Sequence, residues 1–319
     1  MPAAGGPKEM ENKIAFIFPG QGSQNVGMGE ELYQEFEMVR DYFARAEEIL
    51  DLDLKRLCFQ GPEFDLNLTE NTQPAIFLLS SAVNGLLEES GITPAMVAGH
   101  SLGEYSALTA AGAISFSESL KLVRARGRAM EEALPAGLGS MAAIIGLRKE
   151  NLEEICAGVN GVCELANINT PKQMVISGEK ELIKEAMEIA RERGARRVIE
   201  LPVSGPFHSS LMEPAAARLK AELDKVDISD ARVPLVANVT AEATVSAREI
   251  KKNLLEQLNS SVLWVDSMEY MIAQGIEVFV EVGPGDVLKG LLRRIDKSVK
   301  SFTTRNPAEV RQVIEELGT

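Results

Sequence analysis

One stretch constrains this chain more than any other: Met96 to Ala111, Met-Val-Ala-Gly-His-Ser-Leu-Gly-Glu-Tyr-Ser-Ala-Leu-Thr-Ala-Ala. A short apolar run enters it, a glycine turn follows and an Ala-rich segment leaves, the pattern of strand, tight turn and helix. The turn Gly99-His100-Ser101-Leu102-Gly103 fits G-x-S-x-G, in which a serine on a strained corner projects its hydroxyl from the sheet edge. Gly99 and Gly103 lack a Cβ, so the incoming strand and the outgoing helix can approach closely. The helix N-terminus offers unsatisfied N–H groups and the positive end of its dipole to any oxyanion formed beside Ser101, and the amide of Leu102 is the natural first donor. The same pentapeptide occurs in corners without chemistry, so context decides. Residues 94–98 read as a strand and 102–112 as a helix closed by glycine.

Such a corner needs a sheet to sit on. Residues 13–18 form a first strand, ended by Pro19-Gly20-Gln21-Gly22-Ser23-Gln24. This loop is not a phosphate-binding loop, because Met28-Gly29 stand where Lys-Ser/Thr is required. It reads either as a plain connection with a helix cap or as an open loop whose amide, that of Gln21, supplies a second oxyanion donor. Helices are expected over 29–50, over 73–90 with Thr72 opening it and Pro74 in its first turn, and over 115–134 with Ser117 as N-cap. The last carries Lys121, Arg124, Arg126 and Arg128; spacing alone favours a solvated basic face over an arginine aimed into a cleft.

From Gly139 the pattern changes to strand (141–147), helix (149–157), two strands (162–169 and 173–177), helix (180–193) and strand (196–203). That β-α-β-β-α-β order predicts a ferredoxin-like small domain at 138–205, inserted into a larger domain built from 12–137 and 206–319. A cleft between the two is the expected ligand site. Downstream, a helix is expected over 210–226 and strands over 233–238 and 277–282, the last followed by Gly283-Pro284-Gly285 and a helix capped by Asp286 and running to Arg294. Alternating strands and helices on both outer segments make the fold class α/β, with a mainly parallel sheet covered on both faces. Residues 1–11 are expected to be a disordered leader: Met1 to Lys8 lacks the apolar core of a signal peptide.

Composition excludes several classes. No apolar run reaches the roughly 18 residues that a membrane span needs. The net charge is −14, from 33 Lys+Arg against 47 Asp+Glu, which disfavours nucleic acid and anionic membranes as partners. Cys58, Cys156 and Cys163 form no C-x-x-C pair and the chain has only two histidines, so a zinc site and a disulfide framework are not expected and a reducing cytoplasm fits best.

A serine nucleophile needs a base, and only His100 and His208 are available. Neighbours on a tight turn point different ways, so His100 is expected to be a packing residue. His208 follows the serine in the chain order of α/β hydrolases and is the better candidate.

Five pieces taken together, Gly20-Gln21-Gly22-Ser23-Gln24, Gly99-His100-Ser101-Leu102-Gly103-Glu104, Arg126-Gly127, Pro206-Phe207-His208-Ser209 and Glu281-Val282-Gly283-Pro284-Gly285, resemble the acyltransferases that load malonyl groups onto acyl carrier proteins in fatty acid synthesis, together with the related polyketide synthase domains. The resemblance runs in order over residues 13–305. It implies an α/β-hydrolase-like large domain, an acylated Ser101, His208 as base, and an oxyanion hole made of the amides of Gln21 and Leu102. It further implies that Arg126 grips the free carboxylate, that Asn167 or Asn169 supports the site, that Phe207 crowds the acyl pocket, and that the main-chain carbonyl of Leu263 orients His208. Malonyl-CoA and an acyl carrier protein are the implied substrates of a monomeric cytoplasmic enzyme with no metal or redox cofactor. A serine esterase or thioesterase shares the corner and the histidine but has no use for an inward Arg126, and a noncatalytic carrier-docking subunit has no use for Ser101 and His208. The carrier is expected at Arg191, Arg193, Arg196 and Arg197, with Lys289, Arg293 and Arg294 as the second choice.

Overall fold

The computed structural model describes residues 13–135, 137–203 and 205–318; the leader expected over 1–11 lies outside them. The chain begins with β1 (Ile14–Phe18), α1 (Glu30–Glu35), α2 (Glu37–Leu50), α3 (Leu54–Gln60), α4 (Glu63–Leu66) and α5 (Thr69–Glu89). The corner follows as β2 (Met96–Gly99) and α6 (Gly103–Ala110), then α7 (Phe116–Glu131). The middle segment is β3 (Gly139–Ile145), α8 (Lys149–Gly158), β4 (Cys163–Thr170), β5 (Gln173–Glu179), α9 (Lys180–Glu192) and β6 (Arg197–Glu200). The chain ends with α10 (Glu213–Leu223), β7 (Leu235–Val236), β8 (Ala243–Thr244), α11 (Ala247–Gln257), α12 (Trp264–Ala273), β9 (Val278–Glu281), α13 (Val287–Ile295), β10 (Lys300–Thr303) and α14 (Pro307–Leu317).

Six strands form one sheet in the order β10-β9-β1-β2-β7-β8, parallel throughout except for the β7–β8 pair. Its central strands are buried on both faces, which is why β1 reads Ile-Ala-Phe-Ile-Phe without alternation. Phe16 and Phe18 pack with the helices of one side, whereas Ala15 and Ile17 face Trp264, Met268 and Leu288 on the other.

The middle segment makes a four-stranded antiparallel sheet in the order β4-β5-β3-β6. Here the faces divide by the strand period of two. Ala142 and Ile144 pack with Leu152, Ile155, Ile183 and Met187 of α8 and α9, while Met141 and Ala143 turn toward the core of the larger sheet. The units are stitched at β4, where Ile168 donates its amide to the Val262 carbonyl at 2.9 Å and Val262 returns one to Ala166 at 2.8 Å.

Several element ends differ from expectation for identifiable reasons. The helix expected over 29–50 breaks at Phe36, which is extended, into α1 and α2. The 73–90 helix starts four residues early, at Thr69: its first amide is capped at 2.6 Å by Glu131, from α7, and Thr72 donates its hydroxyl to the Leu66 carbonyl. Ser115, not Ser117, caps α7 in a reciprocal pair with Glu118. The strands expected over 196–203 and 233–238 shrink to β6 and β7, and the 210–226 helix becomes a 3-10 turn (Ser210–Met212) and α10. Asp286 stands at the N-cap of α13 but pairs with Arg305; the buried Glu281 accepts the Leu288 and Lys289 amides instead.

Candidate active site

Ser101 sits between β2 and α6 with φ 51, a left-handed conformation that a side chain resists. The strain is held in place by close backbone packing. A Cβ on Gly99 would lie 1.9 Å from the Gly103 carbonyl, and one on Gly103 would lie 2.0 Å from the Phe18 carbonyl oxygen, so both glycines are obligatory. Two side chains complete the clamp. Asn238 Oδ1 accepts the Ser101 amide at 2.7 Å, and Gln257 Nε2 donates to the Ser101 carbonyl at 2.9 Å.

The hydroxyl of Ser101 meets His208 Nε2 at 2.7 Å. His208 Nδ1 lies 2.8 Å from the Gln257 main-chain carbonyl, which can only accept, so the proton resides on Nδ1 and Nε2 is free to take the serine proton. Burial, reinforced by the nearby Arg126 cation, lowers the His208 pKa to about 3, so the imidazole is held neutral. The orienting carbonyl is therefore that of Gln257 and not Leu263. Gln257 ends α11, where carbonyls lack intrahelical partners, whereas the Leu263 carbonyl is taken by the amide and hydroxyl of Ser267 at the start of α12.

Arg126 is fully buried. Its Nη2 donates to Ser101 Oγ and to Gln257 Oε1, both at 3.0 Å, while Nε and Nη1 have no hydrogen-bond partner among the described residues. The ring of Tyr105 lies 5.4 Å beneath the guanidinium carbon. The rest of the basic face is peripheral: Arg124 caps the Leu50 carbonyl and Arg128 pairs with Glu70. What turns Arg126 inward is the close crossing of α7 over the start of α5 at Gly127, where a Cβ would lie 2.7 Å from Glu70 Cα.

A cavity of about 100 Å³ opens on these groups; Gln21, Leu102, Met141, Asn167 and Phe207 are among its walls. The Leu102 amide precedes the first bonded turn of α6, in which Gly103 donates to the His100 carbonyl at 2.9 Å, so it has no intrahelical acceptor. The structure also separates the two asparagines. Asn167 faces the cavity, whereas Asn169 Oδ1 holds His100 Nε2 at 2.8 Å, with the His100 ring against Trp264.

Sequence reasoning missed the support beneath the corner. Glu104 Oε2 accepts from Gln257 Nε2 at 2.8 Å and from the Asn238 amide at 3.1 Å, and burial raises its pKa to about 7. Glu104 lies within the corner motif, but Asn238 and Gln257 are far along the chain and bear no local mark.

Arg193 pairs with Glu154, but exposed Arg196 and Arg197 line a surface cavity of about 360 Å³ with Lys172 and Arg294, so members of both expected patches meet there.

The model of the acyl transferase domain family matches residues 15–315. The malonyl CoA-acyl carrier protein transacylase of Bacillus subtilis (strain 168) is 47% identical over 309 residues, covering 96% of this chain and 98% of that protein. The acyl-carrier-protein-S-malonyltransferase of Bartonella henselae superposes with a TM-score of 0.93 at 42% identity, covering 96% of this chain and 99% of that one. A malonyl-transacylase solved in complex with a type II PKS acyl-carrier protein gives 0.93 at 40% identity, with 95% and 99% covered. With an elbow serine, a neutral histidine and a buried arginine converging on one cavity, and matches that span nearly its whole length, the chain belongs to the acyl transferase domain family.

Proposed function

We propose that this protein transfers the malonyl group of malonyl-CoA to the phosphopantetheine thiol of an acyl carrier protein, through a malonyl ester on Ser101, to supply extender units for fatty acid synthesis. The observation that carries this reading is Arg126. A buried guanidinium with two uncommitted nitrogens is costly unless an anion joins it, and it sits 3.0 Å from the nucleophilic oxygen. The free carboxylate of a malonyl thioester is such an anion, placed where its thioester carbon meets Ser101. An esterase of neutral substrates leaves this charge unpaired.

His208 Nε2 takes the Ser101 proton as Oγ attacks the thioester carbonyl. The Leu102 and Gln21 amides receive the developing oxyanion, and the protonated His208 returns its proton to the departing CoA thiolate. The carrier thiol then repeats the sequence in reverse, with His208 as its base. Malonyl thioester enters and malonyl thioester leaves. Asn167 supports the acyl group from the β4 side, and Phe207 narrows the pocket against branched extenders.

The same reading makes 12–137 and 206–319 an α/β-hydrolase-like domain and 138–205 an inserted ferredoxin-like one, supported by the strand orders and by a separate apolar core under α8 and α9. Three free thiols support a reducing, cytoplasmic setting, and the few exposed large apolar side chains among the described residues support a monomer.

The test is intact-mass spectrometry after mixing with malonyl-CoA or acetyl-CoA. The parent gains one malonyl group and Ser101→Ala gains none; an increment that survives the substitution overturns the nucleophile. A charged hydrogen bond contributes on the order of 1.5 to 3 kcal/mol, so Arg126→Ala cuts malonyl transfer at least about tenfold and acetyl transfer far less. An equal loss for both acyl groups leaves Arg126 a purely structural role.

A further inference from the structure

A second cleft, of about 490 Å³, also borders His208. It is lined by Cys156, Glu164, His208 and Ser260 among others. Cys156 is in the last turn of α8 and Cys163 is the first residue of β4, and the fold brings their Sγ atoms to 3.5 Å. We propose that Cys156 and Cys163 are a redox-modifiable dithiol, oxidised to a disulfide by small disulfides entering this cleft, and that the oxidised form misplaces His208.

The geometry favours the reaction. Cys156 is largely buried but lines the cleft, so a small disulfide seated there meets its sulfur, while the buried Cys163 lies 3.5 Å from it. The hydrogen bond with Cys163 and burial push the Cys156 thiol up while the same bond lowers Cys163, so the pair's thiolate forms on Cys163, the base of the first step and the attacking group of the second; Cys58, buried without such a neighbour, is pushed up to about 12 and stays inert. In the first step Cys156 Sγ passes its proton to the Cys163 thiolate 3.5 Å away and attacks one sulfur of the small disulfide, breaking its S–S bond and expelling one thiolate, which takes that proton from Cys163. In the second, the Cys163 thiolate attacks Cys156 Sγ, expelling the other. The two protons lost by the cysteines end on the two released thiols, and two electrons pass to the small disulfide. The sulfurs must close to about 2.05 Å, which draws the end of α8 onto β4.

That closure reaches the catalytic base through one residue. Glu164, next to Cys163, accepts both the amide and the hydroxyl of Ser210, each at 2.7 Å, and Ser210 lies two positions after His208. His208 has φ 59, so its backbone has little freedom to absorb a shift. Misplacing a catalytic group by about 1 Å costs up to about a hundredfold, so the oxidised protein should transfer at least about tenfold more slowly.

The experiment incubates the native protein with oxidised glutathione and follows two readouts. One is the mass of the peptide from Glu150 to Lys172, which carries both cysteines; the other is acyl-serine formation before and after dithiothreitol. The expected result is a peptide lighter by two hydrogens, slowed acylation and full recovery on reduction, with Cys163→Ser instead retaining a glutathione adduct on Cys156. A peptide that keeps both hydrogens overturns the dithiol, and an oxidised peptide with unchanged acylation overturns its coupling to His208. Equal oxidant sensitivity in the Cys156→Ser, Cys163→Ser double variant assigns the loss elsewhere and also overturns it. The activity readout rests on the acyl transfer reading, whereas the peptide mass is independent of it.

Discussion

At the scale of single residues, the site is a set of titratable groups kept away from their ordinary charge. His208 is lowered to about 3 and Glu104 raised to about 7, both by burial first. A neutral His208 is ready as a base throughout the physiological range, so acyl-serine formation should show no acid limb near pH 6.5; rapid-quench measurements from pH 5 to 8 that reveal one would mean His208 titrates as an ordinary solvated imidazole. Glu104 has a consequence for stability. Its carboxyl holds a proton more tightly in the folded than in the unfolded chain, so its contribution to stability falls as pH rises from about 4.5 to about 7 and is flat above. Glu104→Gln keeps an acceptor for Asn238 and Gln257 and removes that slope. Relative to the parent it should gain up to about 3 kcal/mol above pH 7 and nothing near pH 4.5, less whatever its new amide loses in the space of the unpartnered Oε1. Urea unfolding at pH 5 and 8 checks this; a difference between variants that does not change with pH removes Glu104 as the titrating group.

At the scale of elements, close crossings aim the chemistry. The α5–α7 crossing at Gly127 turns Arg126 inward, and the end of α11 supplies the carbonyl that fixes His208. Gly127→Ala would push a methyl against backbone of Thr69 and Glu70, at a cost of about 1 to 3 kcal/mol, and tilt α7. The expected outcome is a lower Tm and a malonyl-CoA KM raised more than that for acetyl-CoA; equal changes in both would separate the crossing from Arg126. These elements also mark what was legible in the sequence. The corner was fully legible, because strand, glycines and helix follow one another within sixteen residues and each has a local cause. The β-α-β-β-α-β order was legible for the same reason. Arg126 pointed outward on helical spacing, because its burial depends on a partner helix that joins the chain some fifty residues earlier. The start of α5 was hidden because Glu131, on α7, caps it. Gln257 was missed because α11, with a polar composition and a single buried edge, reads as an unremarkable surface helix, and its decisive group is a main-chain carbonyl that every residue possesses.

At the scale of the whole molecule, the carrier proteins that the proposed function requires are expected to be acidic, as this chain is. With a net charge of −14, the average field repels such a partner, so productive encounter depends on a local positive surface. Lys172, Arg196, Arg197 and Arg294 provide one. Arg197 pairs opposite Ile145 on β3, and from there β6 runs along β3 until Leu201 meets Met141 at the wall of the acyl cavity. Four residues of extended chain span roughly 13 Å, so a carrier seated on this surface stands beside the cavity and its pantetheine arm has a short path to Ser101. Arg196→Glu with Arg197→Glu should raise the KM for the carrier protein several-fold and flatten its dependence on salt. Transfer to free pantetheine should be unchanged, because neither side chain touches Ser101, His208 or Arg126. Steady-state kinetics at two ionic strengths with both acceptors decide the matter. A carrier KM equal to that of the parent would move docking off this surface, and a matching loss with free pantetheine would mean that the substitutions had disturbed the sheet on which Met141 and Leu201 approach the acyl group.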